Sequence, residues 1–326
     1  MTDLRVSRRG ALLGLAGAAG ASAFAGAPIA ARAEAPLAGV SRPTFYRFKL
    51  GGFEVTTLLD GAVQLPGPHP IFGQDQDAGA VADLAEANFL PADQMEIGFT
   101  VTIVNTGNEV ILFDTGNGPG DRRPAAGQLY ARLADAGLSP EQIDVVVLTH
   151  FHPDHIGGLM EDGAPAFPNA RYVTNAVEYD FWSAEDKLSG GTERVARLTQ
   201  SNVAPLAEKM SFIKPGEDVV SGVTAVDGSG HTPGHTVYNV ESEGRRLMVT
   251  ADVANHYVVS LQKPEWHVRF DMDKEAAGQA RKQVFGMIAA DRIPFVGYHM
   301  PFPAVGYVEP LGDGFRFVPA SYQLNL

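Results

Sequence analysis

The sequence predicts an α/β fold in which two mixed β-sheets lie between layers of helices. Strand patterns alternate with helix patterns along residues 34–326, and no linker, low-complexity run or repeat interrupts them. Such alternation is typical of sheets covered by helices. Residue types that bind metals follow several of the strands directly. We therefore expect one domain with its functional site in the loops at a sheet edge.

The individual elements are predicted from hydrophobic pattern and turn-forming residues. The first is a hairpin whose turn, residues 105–108, reads Asn-Thr-Gly-Asn between two apolar runs. Apolar runs bounded by turn residues predict strands, and longer amphipathic patterns predict helices. The predicted elements are strands at residues 100–104 and 110–113, a helix at 129–137, strands at 145–149, 219–226, 237–240 and 245–252, a helix at 274–290 and a short strand at 314–322.

One further segment, about residues 175–210, has a helical and polar pattern. It separates two groups of candidate metal ligands. An insertion at this position could cap the site, and a plain helical layer at the periphery explains the pattern equally well. The sequence leaves both interpretations open.

The composition excludes several classes of function. The chain has 326 residues, a formal net charge of −13 and no cysteine. Without cysteine, neither disulfides nor thiolate metal ligands can form. An acidic surface repels phosphate backbones, which argues against nucleic-acid partners. The composition therefore agrees with a compact enzyme whose substrate is not a nucleic acid.

Four metal-ligand side chains are packed into one short run after a predicted strand: His150, His152, Asp154 and His155. Imidazoles and carboxylates suit zinc and similar divalent metals. Because alternate side chains diverge, four ligands on one loop cannot all reach one ion. We therefore expect His150 and His152 to face one metal, and Asp154 and His155 another. The chain has nine histidines, so three within six positions make a solvated loop the weaker interpretation.

Further ligand candidates follow other turns and strands. The pair Pro233-Gly234 enforces a tight bend that could aim the next side chain inward, which favours His235 over His231. Asp252 and His299 each end an apolar run, and the carboxylate is well placed to bridge two cations. Taken singly, each side chain could be a buried structural group. Because the run from His150 to His155 already predicts a metal site, we interpret His235, Asp252 and His299 as the remaining ligands of a dinuclear site.

These motifs resemble those of the metallo-β-lactamase fold superfamily, and Asp114-Thr115-Gly116 matches its first motif, an aspartate after a strand. The resemblance implies the αββα sandwich of that family. It also implies an orienting role behind the ligands for Asp114. The implied ligands are His150, His152 and His235 on one metal, Asp154, His155 and His299 on the other, and Asp252 between them.

From about residue 43 onward the chain also resembles methyl parathion hydrolase and its lactonase-like relatives. Similar stretches include residues 53–56, 152–160, 166–170 and 315–319. This resemblance implies a homodimer, a small-molecule substrate and two divalent ions per chain. Zinc is expected before iron, manganese or cobalt.

The implied reaction is hydrolysis of a small neutral lactone or aryl ester by a hydroxide that bridges the metals. Asp154 and Asp252 would hold the ions and carry the proton. A bridging aspartate also separates this chain from members that open β-lactams. Trp182 matches a pocket tryptophan of the methyl parathion hydrolase family, although a half-buried helix position would explain it equally well. Phe302, close to His299, is the second pocket candidate.

Two departures from that family bear on the substrate. The loop at residues 118–123 is polar where the family has a pocket phenylalanine, and Asn255 replaces a leucine. Both favour lactone or aryl-ester hydrolysis, with phosphotriester cleavage as a side activity. The alternatives are a dedicated organophosphate hydrolase and a non-catalytic periplasmic metal-binding protein. The complete set of ligand positions argues against the latter.

Residues 1–33 resemble a twin-arginine export signal. Arg8 and Arg9 precede a stretch rich in alanine, glycine and leucine, and Ala31-Arg32-Ala33 fits a small-x-small cleavage site. We therefore expect a periplasmic or secreted bacterial protein without stable membrane association after cleavage. An N-terminal membrane anchor is the alternative, but the stretch is short for a membrane span. Residues 1–33 carry four arginines and one aspartate, so the mature chain would have a formal charge of about −16.

Overall fold

The computed structural model describes residues 35–121, 126–320 and 323–326. The chain divides into two compact units, residues 1–42 and residues 43–326. In the first unit, the described residues 35–42 form no helix or strand, and the predicted export signal lies outside the described residues. Among the described residues, no helix is long and apolar enough to cross a bilayer.

The strands of the second unit form two large sheets and one small hairpin. In chain order they are β1 (Phe45–Leu50), β2 (Phe53–Pro66), β3 (Gln94–Asn105), β4 (Val110–Phe113), β5 (Val145–Leu148), β6 (Met160–Glu161), β7 (Ala164–Pro165), β8 (Arg171–Asn175), β9 (Met210–Ile213), β10 (Asp218–Val220), β11 (Val223–Asp227), β12 (Thr236–Ser242), β13 (Arg245–Ala251), β14 (Phe295–Gly297), β15 (Val305–Leu311) and β16 (Gly314–Pro319).

Both large sheets have seven strands and both are mixed, which confirms the predicted fold class. The first has the spatial order β1-β2-β3-β4-β5-β8-β9. Its first four strands pair antiparallel and its last four pair parallel. The second runs from β10 to β16 in order and contains one parallel pair, β13 with β14. Strands β6 and β7 form the small hairpin.

Helices and helical turns connect these strands. The α-helices are α1 (Ala78–Ala87), α2 (Leu129–Arg132), α3 (Pro153–Ile156), α4 (Ala176–Ser183), α5 (Glu193–Leu198), α6 (Val259–Gln262) and α7 (Lys274–Asp291). Side chains of α2, α4 and α5 belong to a hydrophobic cluster with the first sheet, and those of α7 belong to a cluster that includes the second sheet.

Strand β4 shows why both faces of the first sheet are apolar. Ile111 and Phe113 belong to the cluster shared with the second sheet, whereas Leu112 belongs to the cluster under the helices. The residues of β5 alternate in the same way. Because successive strand side chains point to opposite faces, a strand covered on both sides must be continuously apolar. This is the pattern from which the sandwich was predicted.

Most predicted elements are confirmed with small shifts of their bounds, and two differ. The predicted strand at 219–226 is two strands, β10 and β11, because Gly222 turns the chain with φ +85°. The predicted helix at 129–137 is α-helical only to Arg132. Beyond it, Ala136 and Gly137 donate their N–H groups to carbonyls three residues back, so its last part is a series of turns.

Residues 175–210 consist mainly of short helical segments. These are α4, the 3-10 segments Glu185–Leu188 and Gly190–Thr192, α5, the π-helical segment Thr199–Val203 and the 3-10 segment Ala204–Lys209. Asn202 connects the segment to the loop after β5, because its side-chain amide donates to Ile156 O at 3.1 Å and Gly157 O at 3.2 Å.

The homodimer that the family resemblance implies stays a prediction.

Candidate metal centre

The candidate ligands lie where strands end at one edge of the sheets. His150 lies two residues beyond β5, Asp252 follows β13 directly and His299 lies two residues beyond β14. At Asp114 and Ala251 the chain turns with φ values of 64° and 43°. Non-glycine residues adopt this left-handed region at an energetic cost, and such residues cluster at functional sites.

The side chains at this edge form two clusters that share one carboxylate. The first consists of His150, His152, His231 and Asp252, and the second of Asp154, His155, Asp252 and His299. Within each cluster the ligand atoms all lie within 4.8 Å of one another. Asp252 Oδ2 lies 3.4 Å from His231 Nε2 in the first cluster and 3.1 Å from His299 Nε2 in the second. The shared carboxylate is therefore placed between two cation sites.

A one-turn helix divides the ligands of the first motif between the clusters. His152 has extended backbone angles and precedes α3, whose first residue is Pro153. Proline suits this position because its fixed φ is helical and its missing N–H would be unpaired there. Asp154 and His155 lie on the helix itself. The change from extended to helical backbone separates the two pairs of side chains.

The structure brings His231 into the first cluster in place of the predicted His235. His231 Nε2 lies 2.9 Å from His152 Nδ1, inside the cluster. His235 uses both ring nitrogens for the backbone: Nδ1 donates to Gly228 O at 3.0 Å, and Nε2 accepts the N–H of Asp252 at 3.1 Å. Its imidazole therefore holds the start of the Asp252 loop and has no nitrogen left for a metal.

Buried ligand atoms without hydrogen-bond partners face the space between these side chains. His150 Nε2, His155 Nε2 and Asp252 Oδ1 are all of this kind. Buried polar atoms are almost always paired, so three unpaired ones in one place require an explanation. Imidazole nitrogens and carboxylate oxygens are the ligands that zinc and similar divalent metals prefer. The residues present therefore fit two divalent cations.

The remaining ring nitrogens orient the ligands. In four of these histidines, Nδ1 lies within hydrogen-bond distance of an oxygen atom. The pairs are His150 Nδ1 and Thr149 Oγ1 at 3.1 Å, His155 Nδ1 and Asp114 Oδ2 at 2.8 Å, His231 Nδ1 and Asp271 Oδ1 at 2.8 Å, and His299 Nδ1 and Gly98 O at 2.8 Å. Carboxylates and carbonyls only accept, so they hold the proton on Nδ1 and leave Nε2 free for a metal. Asp114 also accepts the N–H and hydroxyl of Thr149, and so ties its strand to the ligand loop.

The charges of the clusters favour cations. Burial and neighbouring imidazoles hold the pKa values of His150 and His152 well below the ordinary value, so both are neutral ligands. Burial alone would lower the pKa of His155 as well. The nearby carboxylates, of which Asp252 has the largest effect, outweigh burial and raise the pKa of His155 well above its ordinary value. The same competition raises the pKa of His299. The carboxylates of the second cluster therefore attract positive charge.

Glu178 is a buried residue that the sequence interpretation missed. Its Oε1 accepts the N–H of Phe151 at 2.9 Å and Trp182 Nε1 at 2.8 Å. Its Oε2 accepts the hydroxyl of Thr232 at 2.7 Å and the N–H of Gly234 at 2.9 Å. Burial raises its pKa, although all four donors favour the carboxylate. Glu178 thus joins the two loops that carry the first cluster, and a lone glutamate in a helix gives no sequence signal for such a role.

Two further polar side chains lie against the ligands. Asn255, which replaces a leucine of the methyl parathion hydrolase family, is buried, and its Nδ2 donates to Asp252 Oδ2 at 2.9 Å. Tyr298 donates its hydroxyl to Asp154 O at 2.5 Å, and its ring centroid lies 3.9 Å from that of His155. Both therefore support ligands of the second cluster.

A cavity of about 360 Å³ opens onto the clusters. His152, Asp154, Asp252 and His299 form its polar floor. Among the described lining residues, Arg194 of α5 carries the one permanent positive charge, so the helical segment does border the site. The apolar wall consists of Val63, Leu65, Ile97, Phe99, Val195 and Phe270.

Neither predicted pocket aromatic lines this cavity. Trp182 is buried behind His152, with ring centroids 6.3 Å apart, because its N–H finds its partner in buried Glu178. Phe302 lies in the turn between β14 and β15. Phe99 and Phe270 supply the aromatic surface instead, and Phe99 meets His299 edge-on with centroids 5.6 Å apart. Phe99 lies on β3, where the alternation of side chains between the two faces of the strand directs it to the cavity wall. Phe270 lies in a loop, where no such alternation indicates the direction of a side chain.

The polar loop at residues 118–123 is only partly described. Pro119 and Gly120 line a second cavity of about 470 Å³, which shares Asn117, Pro153 and Arg194 with the first. Arg122 and Arg123 lie outside the described residues. Pro119 and Gly120 thus lie beside the site, and neither is among the described residues that line the first cavity.

Comparison with known proteins agrees with this geometry. The family model described as "Metallo-beta-lactamase superfamily" matches residues 100–294, which include six of the seven residues of the two clusters; His299 lies five residues beyond the match. Among curated proteins, the N-acyl homoserine lactonase AttM of Agrobacterium fabrum (strain C58) is 26% identical over 125 residues. That match covers 36% of this chain and 44% of the lactonase, so it spans less than half of the relative's length.

Two solved structures are similar over most of the chain. AidC, a dizinc quorum-quenching lactonase solved in complex with a product, has a TM-score of 0.79 and 27% identity, covering 86% of this chain and 98% of AidC. The hydrolase AbOPH, in the beta lactamase superfamily, has a TM-score of 0.79 and 25% identity, covering 87% of this chain and 100% of AbOPH.

Proposed function

Because the chain belongs to the metallo-beta-lactamase superfamily, we propose that it is a dinuclear metal-dependent hydrolase of small neutral lactones and aryl esters, with phosphotriesters as secondary substrates. The likeness to AidC, a dizinc lactonase, supports lactones as the first substrate class. The partial match to the lactonase AttM agrees with it.

One observation carries the proposal: two His/Asp clusters form the floor of a cavity with an apolar wall. Small-molecule sites are typically apolar clefts with a few placed polar groups. An apolar wall favours an uncharged group on the part of the substrate that lies against it, because a charge there would lose its hydration without being paired. A volume of about 360 Å³ is at the lower end for ligand pockets, which suits a small ring or a short ester.

Each residue has a part in the proposed hydrolysis. Bound divalent cations lower the pKa of water and polarise the carbonyl under attack. Asp252 belongs to both clusters and would hold both cations. Asp154, whose side chain is 22% exposed and lines the cavity, is placed to take up a proton on its carboxylate and pass it to the leaving alkoxide. Phe99 and Phe270 exclude water and orient the substrate.

A substrate panel tests the proposal. We expect kcat/KM to be highest for an N-acyl homoserine lactone or dihydrocoumarin, next for an aryl acetate, and at least about tenfold lower for methyl parathion, which corresponds to about 1.4 kcal/mol of transition-state discrimination. The four values are measured side by side on the zinc-loaded enzyme. Chelator-treated protein is the control, because metal-dependent hydrolysis must disappear with the metal.

Two results would overturn it. Methyl parathion in first place would make the chain a dedicated organophosphate hydrolase. Hydrolysis of none of the four substrates by protein with two bound ions would favour a non-catalytic metal-binding protein.

A further inference from the structure

A buried chain of three side chains extends from the first cluster into the long helix α7. Asp271 Oδ1 lies 2.8 Å from His231 Nδ1, and Asp271 Oδ2 accepts from Arg281 Nη1 at 2.9 Å. The side chains of all three residues are at most 2% exposed. Burying a carboxylate is costly unless it is paired and hydrogen-bonded, and here both conditions are met.

Arg281 is anchored on more than one side. Its Nε donates to Pro264 O at 2.8 Å, and its Nη1 also approaches Val253 O at 3.4 Å. Val253 directly follows the shared ligand Asp252. The guanidinium therefore joins the partner of His231 to the backbone beside Asp252, and its planar fork holds Asp271 in one orientation.

Backbone contacts align the same segments. Met272 N donates to His231 O and Asp273 N donates to Gly230 O, both at 3.0 Å. A Cβ on Gly230 would lie 2.3 Å from Ala277 N, so no side chain fits between this turn and α7. The turn that presents His231 therefore rests directly on the segment that carries Asp271.

We propose that Asp271 and Arg281 are positioning residues of the first metal site, a role that rests on the proposed dinuclear function. Asp271 holds the proton on His231 Nδ1 and so keeps Nε2 turned to the cation. Arg281 donates to the other carboxylate oxygen of Asp271 and fixes the orientation of that carboxylate. Loss of such a partner typically lowers metal affinity by about 10- to 100-fold. The second cluster makes no contact with either side chain in the described hydrogen bonds and should keep its affinity.

The test compares Asp271→Asn with Asp273→Asn. The second substitution removes the same charge two residues away, and asparagine still caps α7, whose first turn Asp273 caps now. Zinc dissociation constants and zinc content are measured on both variants and on the wild type. We expect Asp271→Asn to weaken one of two sites by about 10- to 100-fold and Asp273→Asn to leave both unchanged. Excess zinc should restore kcat in Asp271→Asn, which it would not do for a general folding defect.

Other outcomes are decisive too. Unchanged affinity of both sites in folded Asp271→Asn overturns the proposal, whereas wild type that binds no zinc overturns the proposed function itself. If Asp271→Asn does not fold, Arg281→Lys, which keeps the charge, and NMR of the zinc-loaded wild type replace it. We then expect one weakened site in Arg281→Lys and a downfield, exchange-protected His231 Nδ1 proton. Two unchanged sites, or no such proton, would overturn the proposal.

Discussion

Replacing Asp252 with alanine should remove metal from both clusters and lower kcat/KM by more than about 100-fold. Loss of a residue that hydrogen-bonds to a metal ligand typically lowers metal affinity or activity by about 10- to 100-fold. Loss of a ligand that both sites share should therefore lower them further. Asp252 belongs to both clusters, and its Oδ1 lies 3.3 Å from His155 Nε2 while its Oδ2 lies 3.8 Å from His150 Nε2. Without it, each site loses a ligand and its negative charge. Metal content and kcat/KM are measured on the same preparation.

The matched control for this experiment is Asp291→Ala. Asp291 pairs with Arg246 at the surface, 2.9 Å apart, and lies at the end of α7. An exposed ion pair contributes little, roughly 0–1 kcal/mol, so this variant should keep its metals and its activity. Two bound ions and near-normal turnover in Asp252→Ala would mean that the clusters are not the catalytic metal site.

Replacing Glu178 with alanine should lower the free energy of unfolding by roughly 3 kcal/mol or more. The substitution leaves four buried donors without their acceptor, and each unpaired donor costs about 1–3 kcal/mol. Phe151 follows His150 directly, and Thr232 and Gly234 lie in the His231 turn, so the first cluster should also lose its alignment. Urea unfolding at a fixed zinc concentration measures the effect, since bound metal adds stability of its own.

Two further variants serve as comparisons for the unfolding free energy of Glu178→Ala. Glu178→Gln keeps one accepting oxygen and should lose less stability than alanine. Glu185→Ala removes an exposed acidic residue of the same helical segment and should change the unfolding free energy by no more than about 0.5 kcal/mol. An unfolding free energy of Glu178→Ala equal to that of wild type would show that the two loops hold their places without this carboxylate.

The fold class and the first motif were predictable because their signals are local. Continuous apolar runs such as β5 mark strands that are covered on both faces. The residues from His150 to His155 are adjacent in sequence, so the chemistry of the run is visible without knowing what it packs against. The family motifs then indicate which later strands complete the site.

The choice between His231 and His235 depended on contacts that the sequence does not display. The two imidazoles are four residues apart in one turn. Gly228 O and the N–H of Asp252 occupy both nitrogens of His235, while Asp271 turns His231 toward the cluster. Those partners come from distant parts of the chain.

The cavity wall was missed for the same reason. Phe99 and Phe270 lie far apart in sequence and come to line one cavity only in the folded chain. Trp182 was predicted to line the pocket because it matches a pocket tryptophan of the methyl parathion hydrolase family. Its indole N–H needs a buried acceptor, and Glu178 holds it behind the ligands. Partner choice for a buried polar group is a property of the packed structure.

An anomalous-diffraction map of zinc-loaded crystals tests the central claim, a dinuclear site built from these two clusters, most directly. We expect two zinc peaks per chain. The first should lie among His150 Nε2, His152 Nδ1 and His231 Nε2, and the second among the ligand atoms of Asp154, His155 and His299, with Asp252 between them. A single peak per chain, or a first peak bound by His235 in place of His231, would contradict the account.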